Sequence, residues 1–194
     1  MRFLHEVYGQ PLDATLEHLQ RNLLHEACST SQSAVVAYLL SQDPAFVAKL
    51  ISQLDHAGST VLHTCAHHGF LDGLTQLLAY LVADDWALIL PLQDGLGRTP
   101  LHVSLLRQHT VLAEALVSSS DVAEVYGPAM LDSIDAQGLS ALHYAAATGA
   151  DCVVAALLAA GVGPNPPIAT NNDAVHICRT RSRPRLTPVY ELHP

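Results

Sequence analysis

Four short apolar blocks recur along the chain, each with a histidine in the same place. They are Asn22-Leu23-Leu24-His25-Glu26-Ala27-Cys28, Thr60-Val61-Leu62-His63-Thr64-Cys65-Ala66, Thr99-Pro100-Leu101-His102-Val103-Ser104-Leu105 and Ser140-Ala141-Leu142-His143-Tyr144-Ala145-Ala146. A second apolar run at helical spacing follows each block. In the last unit Val153, Val154, Leu157 and Leu158 fall at i, i+1, i+4 and i+5, one stripe on a helix. That run stops at Gly161 and the turn-forming Gly163-Pro164-Asn165. The pattern predicts an all-α chain of helix–turn–helix units. One unit cannot bury both of its apolar faces, so stacking of neighbours must supply the core. Asp13-Ala14-Thr15-Leu16-Glu17-His18-Leu19-Gln20 reads as a capped amphipathic helix, which makes residues 1–20 an N-terminal capping segment.

The blocks resemble the ankyrin repeat, a unit of ~33 residues with the motif T-P-L-H-x-A. Thr99-Pro100-Leu101-His102 matches the first four positions, and Asp135 to Asn165 matches almost a whole unit. Gly58, Gly97 and Gly138 stand where the family has its hairpin glycine, with Asp55, Asp94 and Asp135 three residues ahead of them. The resemblance covers residues 21–165 and implies an ankyrin-repeat solenoid of about four repeats joined by short hairpins. Residues 166–194 read as an irregular C-terminal segment or as the start of a truncated fifth repeat, since Thr187-Pro188-Val189-Tyr190 begins like another first helix.

The spacing is longer than the family's. Leu24, Leu62, Leu101, Leu142 and Val189 are separated by 38, 39, 41 and 47 residues. Against ~33, the extra residues are expected near Pro44–Leu54, Val82–Pro91, Asp121–Ser133 and Pro166–Arg185, after the second helix of each unit begins. Only the third block has both Thr and Pro at its start, so the other three first helices are expected to begin less firmly. Units lengthened in this way, with extended second helices after Gly69, look similar to the arrays of NF-kappaB inhibitor and precursor proteins, which hold a Rel-type transcription factor.

Charge and cysteine usage narrow the classes of function. The net charge is −9, and residues 1–178 carry −12 while the last sixteen carry +3 from Arg179, Arg181, Arg183 and Arg185. An acidic body argues against binding driven by nucleic-acid phosphates. The arginine-rich tail reads as a solvated loop, a nuclear-import or acidic-partner segment, or a nucleic-acid contact. The four cysteines form no CxxC pair, and the longest apolar stretch falls short of a membrane span. These features predict a chain with free thiols in the cytoplasm or also the nucleus, monomeric and off the membrane.

Three clusters invite chemistry. His63, Cys65, His67 and His68 form H-x-C-x-H-H, but on the repeat template their side chains diverge, so no metal is expected. The resemblance makes His63 a motif histidine bonded to the neighbouring hairpin, and places Cys28 and Cys65 at buried small-residue positions, where thiols are inert. Asp84-Asp85 reads as a solvated or capping pair beside Trp86. No phosphate loop, G-x-S-x-G elbow or H-E-x-x-H is present. The chain therefore reads as non-catalytic, with no cofactor.

What the resemblance implies is a protein-interaction module, an adaptor or regulatory scaffold that binds its partner with the hairpin tips and the first-helix surface, a concave face. The positions concerned are Arg21, His56, Ser59, His67, His68, Leu96, Arg98, Leu106, Arg107, Gln137, Leu139 and Thr148, with Ser29, Thr30 and Ala147 beside them. Leu96, Leu106 and Leu139 have no core role on the template and are expected to form an exposed apolar patch suited to an acidic or mixed apolar protein partner. An alternative is that the chain is the recognition portion of a larger enzyme, channel or effector. Another is a degenerate array with little function.

Overall fold

The computed structural model describes residues 20–81, 89–118 and 131–163. The expected helix at 13–20, Trp86 with Asp84-Asp85, the insertion after Asp121, Asn165 and everything from 164 onward, including Arg179–Arg185 and Cys178, lie outside the described residues.

Nine helices occur among the described residues: α1 (Leu23–Ser29), α2 (Ser33–Leu40), α3 (Pro44–Ser52), α4 (Val61–His68), α5 (Leu71–Tyr80), α6 (Pro100–Leu106), α7 (Thr110–Ser118), α8 (Ala141–Thr148) and α9 (Asp151–Ala159). The first helices α1, α4, α6 and α8 stack in chain order, and the second helices α2, α5, α7 and α9 stack in a parallel row behind them. One core runs through both rows. Leu24, Leu62, Leu101 and Leu142 fill equivalent places in it, with Leu39, Leu77, Leu116 and Leu157 from the second row, all buried.

Each first helix starts on a side-chain cap, including the three without Thr-Pro. The Asn22 side chain accepts from the Leu24 and His25 amides, and Thr60 and Thr99 accept from the amides of His63 and His102. In the second, third and fourth units the histidine closes the box from the other side. Its Nδ1 accepts the amide of Thr60, Thr99 or Ser140 at 3.2 Å in each case. Two orphan amides are thus satisfied by one buried ring and one hydroxyl residue.

The far edge of the same ring ties one unit to the next. His63 Nε2 donates to the Arg98 carbonyl at 2.9 Å, and His25 Nε2 lies 3.2 Å from the Ser59 carbonyl. His102 Nε2 has no hydrogen bond of normal geometry and packs edge-on against Tyr144, with ring centres 5.7 Å apart. Donation by His63 Nε2 and acceptance by its Nδ1 fix a neutral tautomer. At His25 the substitution of Asn for Thr changes this. Both ring nitrogens face oxygens that only accept, Asn22 Oδ1 at 3.0 Å and Ser59 O, so a neutral ring satisfies one of them at a time.

The hairpins repeat as faithfully. Asp55, Asp94 and Asp135 are buried, and the Oδ1 of each accepts two backbone amides of its own turn at 2.8–2.9 Å. Neighbouring hairpins join through Gly95 N to Ala57 O at 2.8 Å and Ala136 N to Leu96 O at 2.9 Å. Gly97 sits at φ +74°, and a Cβ there would lie 2.9 Å from the Ala136 amide nitrogen. Gly97→Ala is expected to cost about 1–3 kcal/mol, read as a shift of the urea midpoint, because a left-handed residue and a backbone clash coincide. An unchanged midpoint would mean that this hairpin junction yields freely.

The extra residues of the first unit fall near Pro44–Leu54, after its second helix, and form a helix of their own. Helix α2 ends at Leu40, and Asp43 with Pro44 starts a separate helix, α3. Asp43 accepts from the Ala45 and Phe46 amides, and Val47, Leu50 and Ile51 bury themselves against α1 and α2. Asn22 Nδ2 donates to the Leu50 carbonyl at 2.7 Å, so α3 is tied to the cap of α1. The expected extension of the helix after Gly69 needs correction: α5 has 10 residues against 8 and 9 in α2 and α7, and it ends at Tyr80 with Leu81 as its cap.

Candidate functional site

The stack places the predicted interaction residues in two groups. His56, Leu96 and Gln137 are exposed in successive hairpins, Leu96 at 56%. Arg21, Ser59, His67, His68 and Arg98 instead gather around one cavity of about 60 Å³, joined there by His63, Asp55 and Asp94. Arg107, on the turn after α6, closes its rim by donating to His67 Nε2. The gathering follows from the repeat. Residues about 40 apart in sequence occupy equivalent places, so α4 and α6 bring their C-terminal ends together.

Several members of the predicted face do other work. Leu139 is 5% exposed and belongs to the core, because its carbonyl and amide pair with Asp135 and draw it inward. Leu106 is half-buried and packs on the core as well. The apolar patch expected from Leu96, Leu106 and Leu139 therefore reduces to Leu96. Thr148 is half-buried and returns its hydroxyl to the Tyr144 carbonyl at 2.8 Å. Ser29 does the same to Glu26, while Thr30 and Ala147 are exposed.

Arg98 is a hairpin residue first. Its Nε and Nη2 both donate to Asp94 Oδ2, at 2.9 and 2.7 Å, so two charge-assisted bonds converge on one oxygen. Asp94 loses solvation by burial, yet the Arg98 side chain and the hairpin amides outweigh this and hold its carboxyl below the usual range. The second oxygen of each hairpin aspartate takes a different partner. Asp55 has Arg21 at 3.6 Å, Asp94 has Arg98, and Asp135 accepts the Tyr144 hydroxyl at 2.6 Å.

His67 and His68 do not diverge. Their rings lie 4.7 Å apart on the same rim, and His109 Nε2 donates to the His67 carbonyl at 3.3 Å. Partial burial, then Arg107, lowers His67 to about 4. Burial, then Arg21 and Arg107, lowers His68, against an opposing pull from Glu26. The contribution of His109 and Glu26 was invisible in the sequence, because neither occupies a motif position. Among the described residues no three His, Cys, Asp or Glu side chains converge so as to hold a metal.

Cys65 is buried against Cys28, and that contact together with burial pushes its thiol well up. A thiol kept protonated is a poor nucleophile. Among the described residues no helix is long and apolar enough to cross a membrane.

These features define a class, a stacked helix–turn–helix repeat protein with hairpin junctions. A family model described as ankyrin repeats (3 copies) matches residues 86–168. Residues 86–168 thus match the ankyrin repeat family, and the first two units, outside that match, carry the same kind of caps, histidines and stacking. Ankyrin repeats are protein–protein interaction modules and are typically non-catalytic. No curated protein matches the chain.

Proposed function

We propose that this chain is a non-catalytic adaptor or regulatory module of the cytoplasm or nucleus, which docks a protein partner on its hairpin tips and first-helix ends. The supporting observation is the distribution of charge. Of the four Lys and Arg side chains among the described residues, Arg21, Arg98 and Arg107 meet on this one face of an otherwise acidic chain. His56, Leu96 and Gln137 extend the face along the exposed tips. Arginines held on a rigid scaffold are enriched among the residues that carry protein contacts.

Photo-crosslinking tests the reading. A photoreactive residue at Leu96 or Gln137 is expected to trap a protein partner in cells. The same residue at Glu114 of α7 or Ala155 of α9, both exposed on the second row, is expected to trap none. Adducts from the second row alone, or from no position, would overturn it.

A further inference from the structure

We propose that the cavity between the first three units is an anion pocket, which takes one carboxylate or phosphate group of a protein partner together with protons on His67 and His68. This deepens the docking reading by assigning the partner a chemistry, and it rests on separate observations.

The pocket has unused donors. Arg21 Nε is buried without a hydrogen-bond partner, since Asp55 Oδ2 stands at 3.6 Å, beyond hydrogen-bond reach. Arg107 spends a contact on a neutral imidazole rather than on a carboxylate. The acidic groups nearby are already engaged. Asp55 and Asp94 give Oδ1 to hairpin amides, and Asp94 gives Oδ2 to Arg98. On the rim Glu26 lies near His68.

Charge counting gives the coupling. Arg21, Arg98 and Arg107 are balanced by Asp55, Asp94 and Glu26, so with neutral rings the pocket carries no net charge. His63 also lines it, but its two nitrogens are committed to Thr60 and Arg98. His109 donates to the His67 carbonyl. The groups left to answer an incoming anion are His68 and, once Arg107 turns from its Nε2 to the anion, His67. Partial burial opposes their protonation first, and then the arginines, Arg21 and Arg107 at both rings and Arg98 at His67. An anion reverses that sign locally, so its binding draws protons in, and linkage requires its affinity to rise as pH falls.

Inorganic sulfate, doubly charged throughout the range, is the first probe, added to the full chain against sodium chloride at equal ionic strength. The His67 and His68 ring resonances are expected to shift saturably with sulfate, with an affinity about tenfold higher at pH 5.5 than at pH 7.0. Arg107→Gln, at an exposed position, is expected to weaken binding about tenfold, the effect of losing one charge-assisted hydrogen bond. Lys49→Gln on α3 is expected to leave it unchanged. Shifts that match chloride, or that survive Arg107→Gln at full size, would overturn the proposal.

Three peptides of one sequence with a central Glu, phosphoserine or Gln then separate the sources. Tighter binding of the Glu or the phosphoserine form identifies which anion the pocket prefers, and equal binding of all three would overturn it. A partner crosslinked at Leu96 with no anion response would sink the pocket and leave the docking reading standing. Sulfate binding with no crosslinked partner at any position would do the reverse.

Discussion

His63→Ala is expected to destabilise the chain by about 3–5 kcal/mol, more than any single change on the surface. The ring is buried and joins three things at once. Its Nδ1 accepts the Thr60 amide at 3.2 Å, its Nε2 donates to the Arg98 carbonyl at 2.9 Å, and its body fills the space between hairpin and helix. Alanine leaves the buried Thr60 amide without its ring acceptor, reduces the Arg98 carbonyl to its bond from the Asp94 amide, and opens a void of imidazole size. The unpartnered amide costs about 1–3 kcal/mol, because its desolvation is no longer compensated, and the void adds to this. The loss also falls at a junction between units, where a stacked array concentrates its cooperativity. Urea denaturation followed by circular dichroism reads the effect. His56→Ala, exposed in the preceding hairpin, is the control, expected within about 0.5 kcal/mol of the parent. If His63→Ala came within about 1 kcal/mol of that control, the histidine would not be the tie between units that the geometry describes.

Stability is expected to drop steeply as pH falls from about 6.5 to 4. Burial lowers His63 and takes His102 down to about 4 from 6.5, with the Asp135 carboxylate and the Leu139 carbonyl opposing. A histidine whose folded pKa is depressed costs nothing above the unfolded value, where both states are neutral. Below it the unfolded chain takes up a proton that the folded chain refuses. The penalty grows through the window and is complete once pH passes the folded value. For His102 the window closes near pH 4, and the loss amounts to about 3 kcal/mol. His63 adds a loss of the same sign, since a proton on Nδ1 would abolish the acceptor that holds the Thr60 amide. Asp94 does not contribute in this window. Its carboxyl is depressed, so its stabilisation persists until pH falls below the ordinary carboxylate range. Urea midpoints between pH 7.5 and 4.5 test this, and His102→Gln is expected to flatten the slope. A flat midpoint over that range would mean that the rings protonate without strain.

The two results bear on function through the same residues. The histidines that hold the stack are buried and bind cap amides through Nδ1, whereas His67 and His68 stand on the rim beside the arginines. Acidification thus acts in opposite directions on the two sets, loosening the scaffold while strengthening the pocket. The pocket's response is best read near pH 5.5, where the loss from His102 is still incomplete.

The repeat unit was legible because its determinants are local. A cap and its histidine lie three residues apart, and the hairpin aspartate meets amides two and four residues on. Such contacts need no knowledge of the rest of the chain, so the blocks at Asn22, Thr60, Thr99 and Ser140 announce their own helices. Even the caps without proline held, because the hydroxyl or amide side chain supplies the acceptor that the first turn requires. The template misjudged Leu139 and Leu106 because it assigned exposure by position. Burial depends on what the neighbouring unit presents to that position.

The sequence by itself determined the all-α class, the four-unit register, the recurring histidines and the hairpin glycines, since each is written within a few residues of its own unit. Only the tertiary structure decided that the first unit's extra residues fold back as α3. It alone brought Arg107 to His67 across 40 positions and enclosed Arg21, His68 and Arg98 around one cavity. The reason is physical. Contacts between units depend on how far apart the helix pairs settle, and that spacing is set by packing of the whole core rather than by any one motif.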